Sequence, residues 1–109
     1  MGYPEFITRL PLADVPFPNV QGYMLRSADG LQVFFYFPEE TVVPMHSHGA
    51  QWGIMVEGQM EFTVGEETKI YKAGDSYVIG AGQMHGGVIQ AGTRLIDFFE
   101  EPERYKPRA

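Results

Sequence analysis

Residues 51–89 read QWGIMVEGQMEFTVGEETKIYKAGDSYVIGAGQMHGGVI, and the spacing of the glycines in this stretch decides the fold. QWGIMVE (51–57), MEFTV (60–64), ETKIY (67–71), DSYVI (75–79) and MHGGVI (84–89) are short runs rich in β-branched and aromatic residues. Gly58-Gln59, Gly65-Glu66, Ala73-Gly74 and Gly80-Ala81-Gly82 separate them, as tight turns separate strands. Downstream, TRLIDFF (93–99) follows Ala91-Gly92. Upstream, GYMLRS (22–27) and LQVFFYF (31–37) flank Ala28-Asp29-Gly30, an Asp-Gly hairpin signal. MHSH (45–48) reads as one more strand, and residues 38–44 (PEETVVP) as a loop framed by prolines. About nine short strands result, too closely spaced for crossover helices, which excludes a parallel α/β sheet. The expected fold is all-β, an antiparallel double-stranded jelly-roll β-barrel that closes its own sheet edges. It forms one domain over residues 1–109. Residues 11–19 carry three prolines, so 1–19 is expected as an extended N-terminal arm. Residues 100–109 are expected as a short tail with one helical turn near Pro102.

Composition narrows the function. The 109 residues are 44% hydrophobic and 20% charged, as in a globular domain. The net charge is −6 with no cluster of Lys or Arg, which argues against nucleic acid as a partner. No cysteine is present, which removes disulfides, thiolate chemistry and Cys-rich metal sites. There is no apolar run long enough to cross a membrane and no signal-peptide pattern, so the expected location is the cytoplasm.

The chain has three histidines, His46, His48 and His85. On a strand, the i, i+2 spacing of His46 and His48 places both rings on one face, roughly 6.5–7 Å apart along the chain. Imidazole is the commonest metal-binding side chain. His85 lies just past a glycine-rich bend that lets backbone approach closely. Gln51 begins the next strand and offers a neutral amide oxygen. The alternative for Gln51 is an outer residue that hydrogen-bonds a histidine ligand.

H46-S-H48-G-A-Q51-W-G-I-M-V-E-G58 resembles the first cupin motif, in which a His-x-His pair is followed by an acid or amide a few residues on and then, after six intervening residues, a glycine. G74-D-S-Y-V-I-G80-A-G82-Q-M-H85-G-G-V-I89 resembles the second. Gly80 stands where that motif usually has proline, and Ile89 where it usually has asparagine. The resemblance implies one divalent metal ion (Zn, Ni, Mn, Fe or Cu) held by His46, His48, Gln51 and His85. Gln51 stands where most cupins carry glutamate. A neutral amide leaves the site more positive and favours a Lewis-acid role.

Among cupins, the chain is similar to the small pectin-degradation type that converts unsaturated uronates to open-chain keto acids. That resemblance implies Asp97 as acid/base, Phe99 against the substrate and Arg104 on its carboxylate. The loop between His48 and Gln51 is one residue shorter than in that group, and Arg104 lies one residue further from Asp97. Asp97 interrupts an apolar strand, so it needs a partner; a salt bridge to Arg94 or Arg104 is the structural alternative. Two other functions stay open: a metal-dependent dioxygenase, and a non-catalytic sensor or sugar-binding module. Each takes a small molecule as partner. Cupins of this size commonly form dimers, so a homodimer is expected, with the apolar arm available to pack on a neighbour's sheet. Trp52, Phe34, Phe35, Tyr36, Phe37, Phe62 and Tyr77 read as core or interface, and Glu66, Glu67, Glu100 and Glu101 as a solvated rim.

Overall fold

The computed structural model describes residues 2–109 and contains nine strands and one short helix. In chain order these are α1 (Glu5–Thr8), β1 (Gln21–Ser27), β2 (Gly30–Phe37), β3 (Thr41–His46), β4 (Gln51–Glu57), β5 (Gln59–Val64), β6 (Glu67–Lys72), β7 (Ser76–Ile79), β8 (His85–Ile89) and β9 (Thr93–Phe99). A five-stranded sheet has the order β1-β2-β9-β4-β7, and a four-stranded sheet the order β3-β8-β5-β6. Every pairing is antiparallel, and neighbours in space are mostly distant in sequence, which is the jelly roll expected.

Alternation places the core between the two sheets. Leu31, Val33, Phe35 and Phe37 of β2 point inward, as do Met55, Met60, Ile79, Leu95 and Phe99. Their outward neighbours include Trp52, Val78 and Phe98, which remain exposed. The aromatics of the sequence thus divide: Phe35, Phe37, Phe62 and Tyr77 line the interior, while Phe34, Tyr36 and Trp52 face out.

The expectations need correction in three places. Residues 41–46 form β3 rather than a loop, so the third strand lies earlier than MHSH. The β-branched run Thr41-Val42-Val43 favours extended pairing, and Pro44 is accommodated because the β3–β8 register shifts between Val43 and His46. Second, the arm is not wholly extended, since Pro4 caps the one-turn helix α1. It also packs on its own chain: the Tyr3 hydroxyl donates to the Phe35 carbonyl at 2.8 Å, and Ala13 and Val15 belong to the core. Third, the tail carries a turn closed by Arg104 N–H on the Glu101 carbonyl and a bridge of Pro107 to Ala13, rather than a helical turn.

Candidate metal centre

His46 is the last residue of β3, and His85 the first residue of β8, directly opposite it in register. His48 lies beyond the end of β3, so the same-face argument for a strand pair does not apply to it. Its backbone is held instead by Gly82 N–H donating to the His48 carbonyl at 2.8 Å. Gly82 has φ +78°, a left-handed conformation that glycine adopts without strain, and this bends the β7–β8 loop onto the His48 segment. The carboxylates of Glu100 and Glu101 accept the backbone N–H groups of Ala50 and Gly49 at 2.7 and 2.8 Å. The two acids at the end of β9 therefore pin the loop between His48 and Gln51, a role the sequence did not disclose.

Each histidine Nδ1 lies 2.8–2.9 Å from a backbone carbonyl: Pro44 for His46, Gly49 for His48 and Gln83 for His85. A carbonyl only accepts, so each Nδ1 carries the proton and each Nε2 presents a lone pair. The three rings offer ligand atoms all within 4.8 Å of one another, and Nε2 of His48 and of His85 are 3.1 Å apart. Burial opposes charging His48 and His85. It lowers the pKa of His48 and, with the neighbouring His46, His48 and Arg104, pushes His85 down to about 4. Ring lone pairs that converge on one point repel one another unless a cation lies among them. Two nitrogens bound to one tetrahedral ion at about 2.05 Å would be about 3.3 Å apart, close to the observed separation.

Gln51, at the start of β4, is buried and lines the same cavity. Its amide lowers the pKa of the neighbouring Asp97, while its Oε1 is buried with no hydrogen-bond partner among the described residues. A buried acceptor left unsatisfied is costly, and a cation at the histidines would satisfy it. The residues present therefore fit one divalent ion.

Asp97 is buried on the inward face of β9, with Oδ1 accepting the Tyr77 hydroxyl at 2.6 Å. Burial raises its pKa to about 6, against the opposing effect of hydrogen bonds from Tyr77 and Gln51. Arg94 is not its partner: it projects from the opposite face of β9, pairs with Glu57 and lies over the Tyr36 ring at 4.1 Å. Arg104 does not bond Asp97 either. Its guanidinium lies over the Tyr105 ring at 4.5 Å, and its buried Nε has no hydrogen-bond partner among the described residues. Phe99 packs edge-on to His48, with ring centroids 5.5 Å apart.

The cavity beside the histidines holds about 60 Å³, less than the roughly 150 Å³ that accommodates a single small ring. A larger outer cleft of about 360 Å³ adjoins it and shares His46, Phe17, Val43 and Tyr105. Pro16 and Phe17 of the arm form one part of its wall, and Arg104 and Tyr105 of the tail another. The arm's contribution to this cleft, like the Tyr77–Asp97 bond, had no signal in the sequence beyond apolar composition.

Comparison with known proteins agrees with this geometry. No curated protein matches the chain significantly. An RmlC-like cupin from Shewanella frigidimarina superposes with a TM-score of 0.75 at 27% identity, covering 86% of each chain. KdgF from Halomonas sp. superposes at 0.70 with 25% identity, covering 89% of this chain and 86% of that one. A conserved Streptococcus pyogenes protein of unknown function shares the fold at 20% identity, with a TM-score of 0.67 over 84% of this chain and 77% of that one. The cupin-domain family matches residues 33–98, the span from β2 to β9 that holds all three histidines and Gln51, and the chain belongs to that family.

Proposed function

We propose that the protein is a metal-dependent cupin that opens or isomerises a small sugar acid of the unsaturated-uronate type. The observation that carries the metal-dependent part is the convergence of three Nε2 lone pairs beside the unsatisfied Oε1 of Gln51. The similarity to KdgF, together with the resemblance of the sequence to the pectin-degradation cupins, supports the substrate class. A divalent ion held by His46, His48, Gln51 and His85 supplies Lewis-acid polarisation of a substrate oxygen.

The chain's own residues supply the rest. Asp97 lines the cavity with a pKa of about 6, which suits a group that both takes and gives a proton near neutrality. The Arg104 guanidinium, braced on Tyr105, pairs with the substrate carboxylate. Phe99 closes the floor beside His48. The inner cavity admits only the reacting atoms, so the body of the substrate lies in the outer cleft.

The first test is elemental analysis of the wild type beside the His46→Ala/His48→Ala variant. Near-stoichiometric metal in the first and none in the second is expected. Uronate ring opening is then assayed at saturating metal, where Asp97→Asn is expected to lose turnover. A wild type that takes up none of Zn, Ni, Mn, Fe or Cu, or an Asp97→Asn variant that still turns over, would overturn the proposal.

One observation favours a second reading. The cavity walls are mainly apolar, with Phe35, Met60, Phe62 and Leu95 among them, which suits a small apolar substrate of a metal-dependent dioxygenase. Substrate-dependent oxygen uptake by the Fe(II)-loaded protein distinguishes it.

We also infer a homodimer through the outer face of the five-stranded sheet. Leu25, Gln32, Phe98, Trp52 and Val78 follow one another in cross-strand register there, a row without charge in a chain of net charge −6. An uncharged apolar row is self-complementary across a two-fold axis.

A further inference from the structure

Gly53 of β4 sits opposite Asp97 of β9 on one side and opposite Tyr77 of β7 on the other. With no side chain between them, the Tyr77 hydroxyl reaches across β4 to Asp97. A Cβ on Gly53 would lie 2.2 Å from Tyr77 Cζ and 2.3 Å from Asp97 Oδ1, so no other residue permits this bond. Two residues earlier on β4, Gln51 is the diagonal cross-strand neighbour of Asp97 on the same buried face, and its amide lowers the pKa of that carboxyl as a hydrogen-bond donor does. All three side chains are buried and line the cavity of the histidines.

The chemistry of these groups fixes a direction. A carboxylate only accepts hydrogen bonds, so Gln51 presents Nε2 to Asp97 and keeps Oε1 free. A primary amide can rotate by half a turn at little cost when nothing holds it, and would then present N–H groups to the cation site. An N–H group cannot act as a ligand. Holding the amide one way round is therefore a requirement of the site.

We propose that Tyr77 and Asp97 are positioning residues: the Tyr77 hydroxyl anchors Asp97, which locks the Gln51 amide with Oε1 toward the three imidazoles. Gly53 is the gap through which the lock closes. The inference rests on the metal-site reading above and extends it to residues that do not themselves touch the ion. Outer hydrogen-bond partners of this kind typically change metal affinity by about ten- to a hundredfold.

The experiment has two arms. In the metal-free protein, NMR follows the side-chain NH2 of Gln51. It is expected to exchange slowly with solvent in the wild type and faster in Tyr77→Phe and Asp97→Asn, with circular dichroism showing that both variants fold. In the second arm, Zn is titrated into the wild type, Tyr77→Phe, Gln51→Ala and the double variant. Tyr77→Phe is expected to weaken Zn binding at least tenfold, and the double variant no further than Gln51→Ala alone. A Gln51 NH2 indifferent to both substitutions overturns the lock, whatever the metal titrations give. Additive losses in the double variant overturn it too, since Tyr77 would then act independently of Gln51. A wild type that binds no Zn sinks the metal-site reading, and the first arm still decides the lock.

Discussion

Gly87→Ala tests how β8 delivers His85 to the site. Gly87 pairs with Phe62 across β5–β8, and an added Cβ would lie 2.1 Å from the Glu61 carbonyl oxygen and 2.9 Å from Phe62 Cα. Both obstacles are backbone, so no side-chain rotation relieves the clash. An ordinary C···O contact is about 3.3 Å, so β5 and β8 must separate locally by about 1 Å. β5 has no free side to retreat to, because β6 is hydrogen-bonded along its other edge. Losing about two ladder bonds costs about 1 kcal/mol each, and the forced displacement about 1–3 kcal/mol more. The sum, about 3–5 kcal/mol, is a large part of the about 5–15 kcal/mol typical of a domain. Urea denaturation should show a midpoint lowered accordingly, and thermal melting a drop on the order of 15 °C. Because Gly87 is two residues from His85, metal affinity should fall as well. A variant within about 1 kcal/mol of the wild type and with full metal affinity would show that the β5–β8 approach is not what places His85.

Acid stability offers a second test, with two groups of opposite sign. Burial pushes His85 down to about 4, so the folded state binds its proton later than the unfolded chain, and stability is lost as pH falls from about 6.5 toward 4. Burial pushes Asp97 up to about 6, so its contribution is full below the unfolded value and is lost as pH rises through 6. Between about pH 4 and 6 the two slopes oppose each other. Metal-free Asp97→Asn should therefore lose more melting temperature than the wild type between pH 6.5 and 4.5, and equal losses in both would refute the compensation. For the assembly, Phe98→Lys/Val78→Lys places charge on the apolar row and should convert the proposed dimer to a monomer in light scattering. A dimer that survives both substitutions uses another face.

Much of the architecture was legible because the signals were local. Glycines at turn spacing delimit β4 to β8 within a residue or two, whereas the unbroken aromatic run of β2 left its buried face unread. β3 was misplaced because Pro38 and Pro44 resemble loop punctuation, while the register shift that tolerates Pro44 is a property of the partner strand. The histidines were legible because they follow a motif, yet His48 reaches the site through a loop rather than a strand. Asp97 stood out as a polar residue in an apolar strand, but its partner did not. Tyr77 lies 20 residues away and meets it only across Gly53, a juxtaposition created by the strand order β9-β4-β7. Glu100 and Glu101 read as solvated acids because nothing in their neighbourhood marks them as acceptors for a loop 50 and 52 residues upstream.

The arm and tail are stitched together at one place: Asp14 N–H donates to the Lys106 carbonyl and Arg108 N–H to the Leu12 carbonyl, each at 2.7 Å. Phe17 and Tyr105, a few residues from that seam, wall the cleft that leads to His46. The two walls are therefore coupled: the width of the entrance to His46 is set by the same backbone pairing that fastens residues 12–14 to residues 106–108, and a substitution that weakens either partner of that pairing acts on both walls at once.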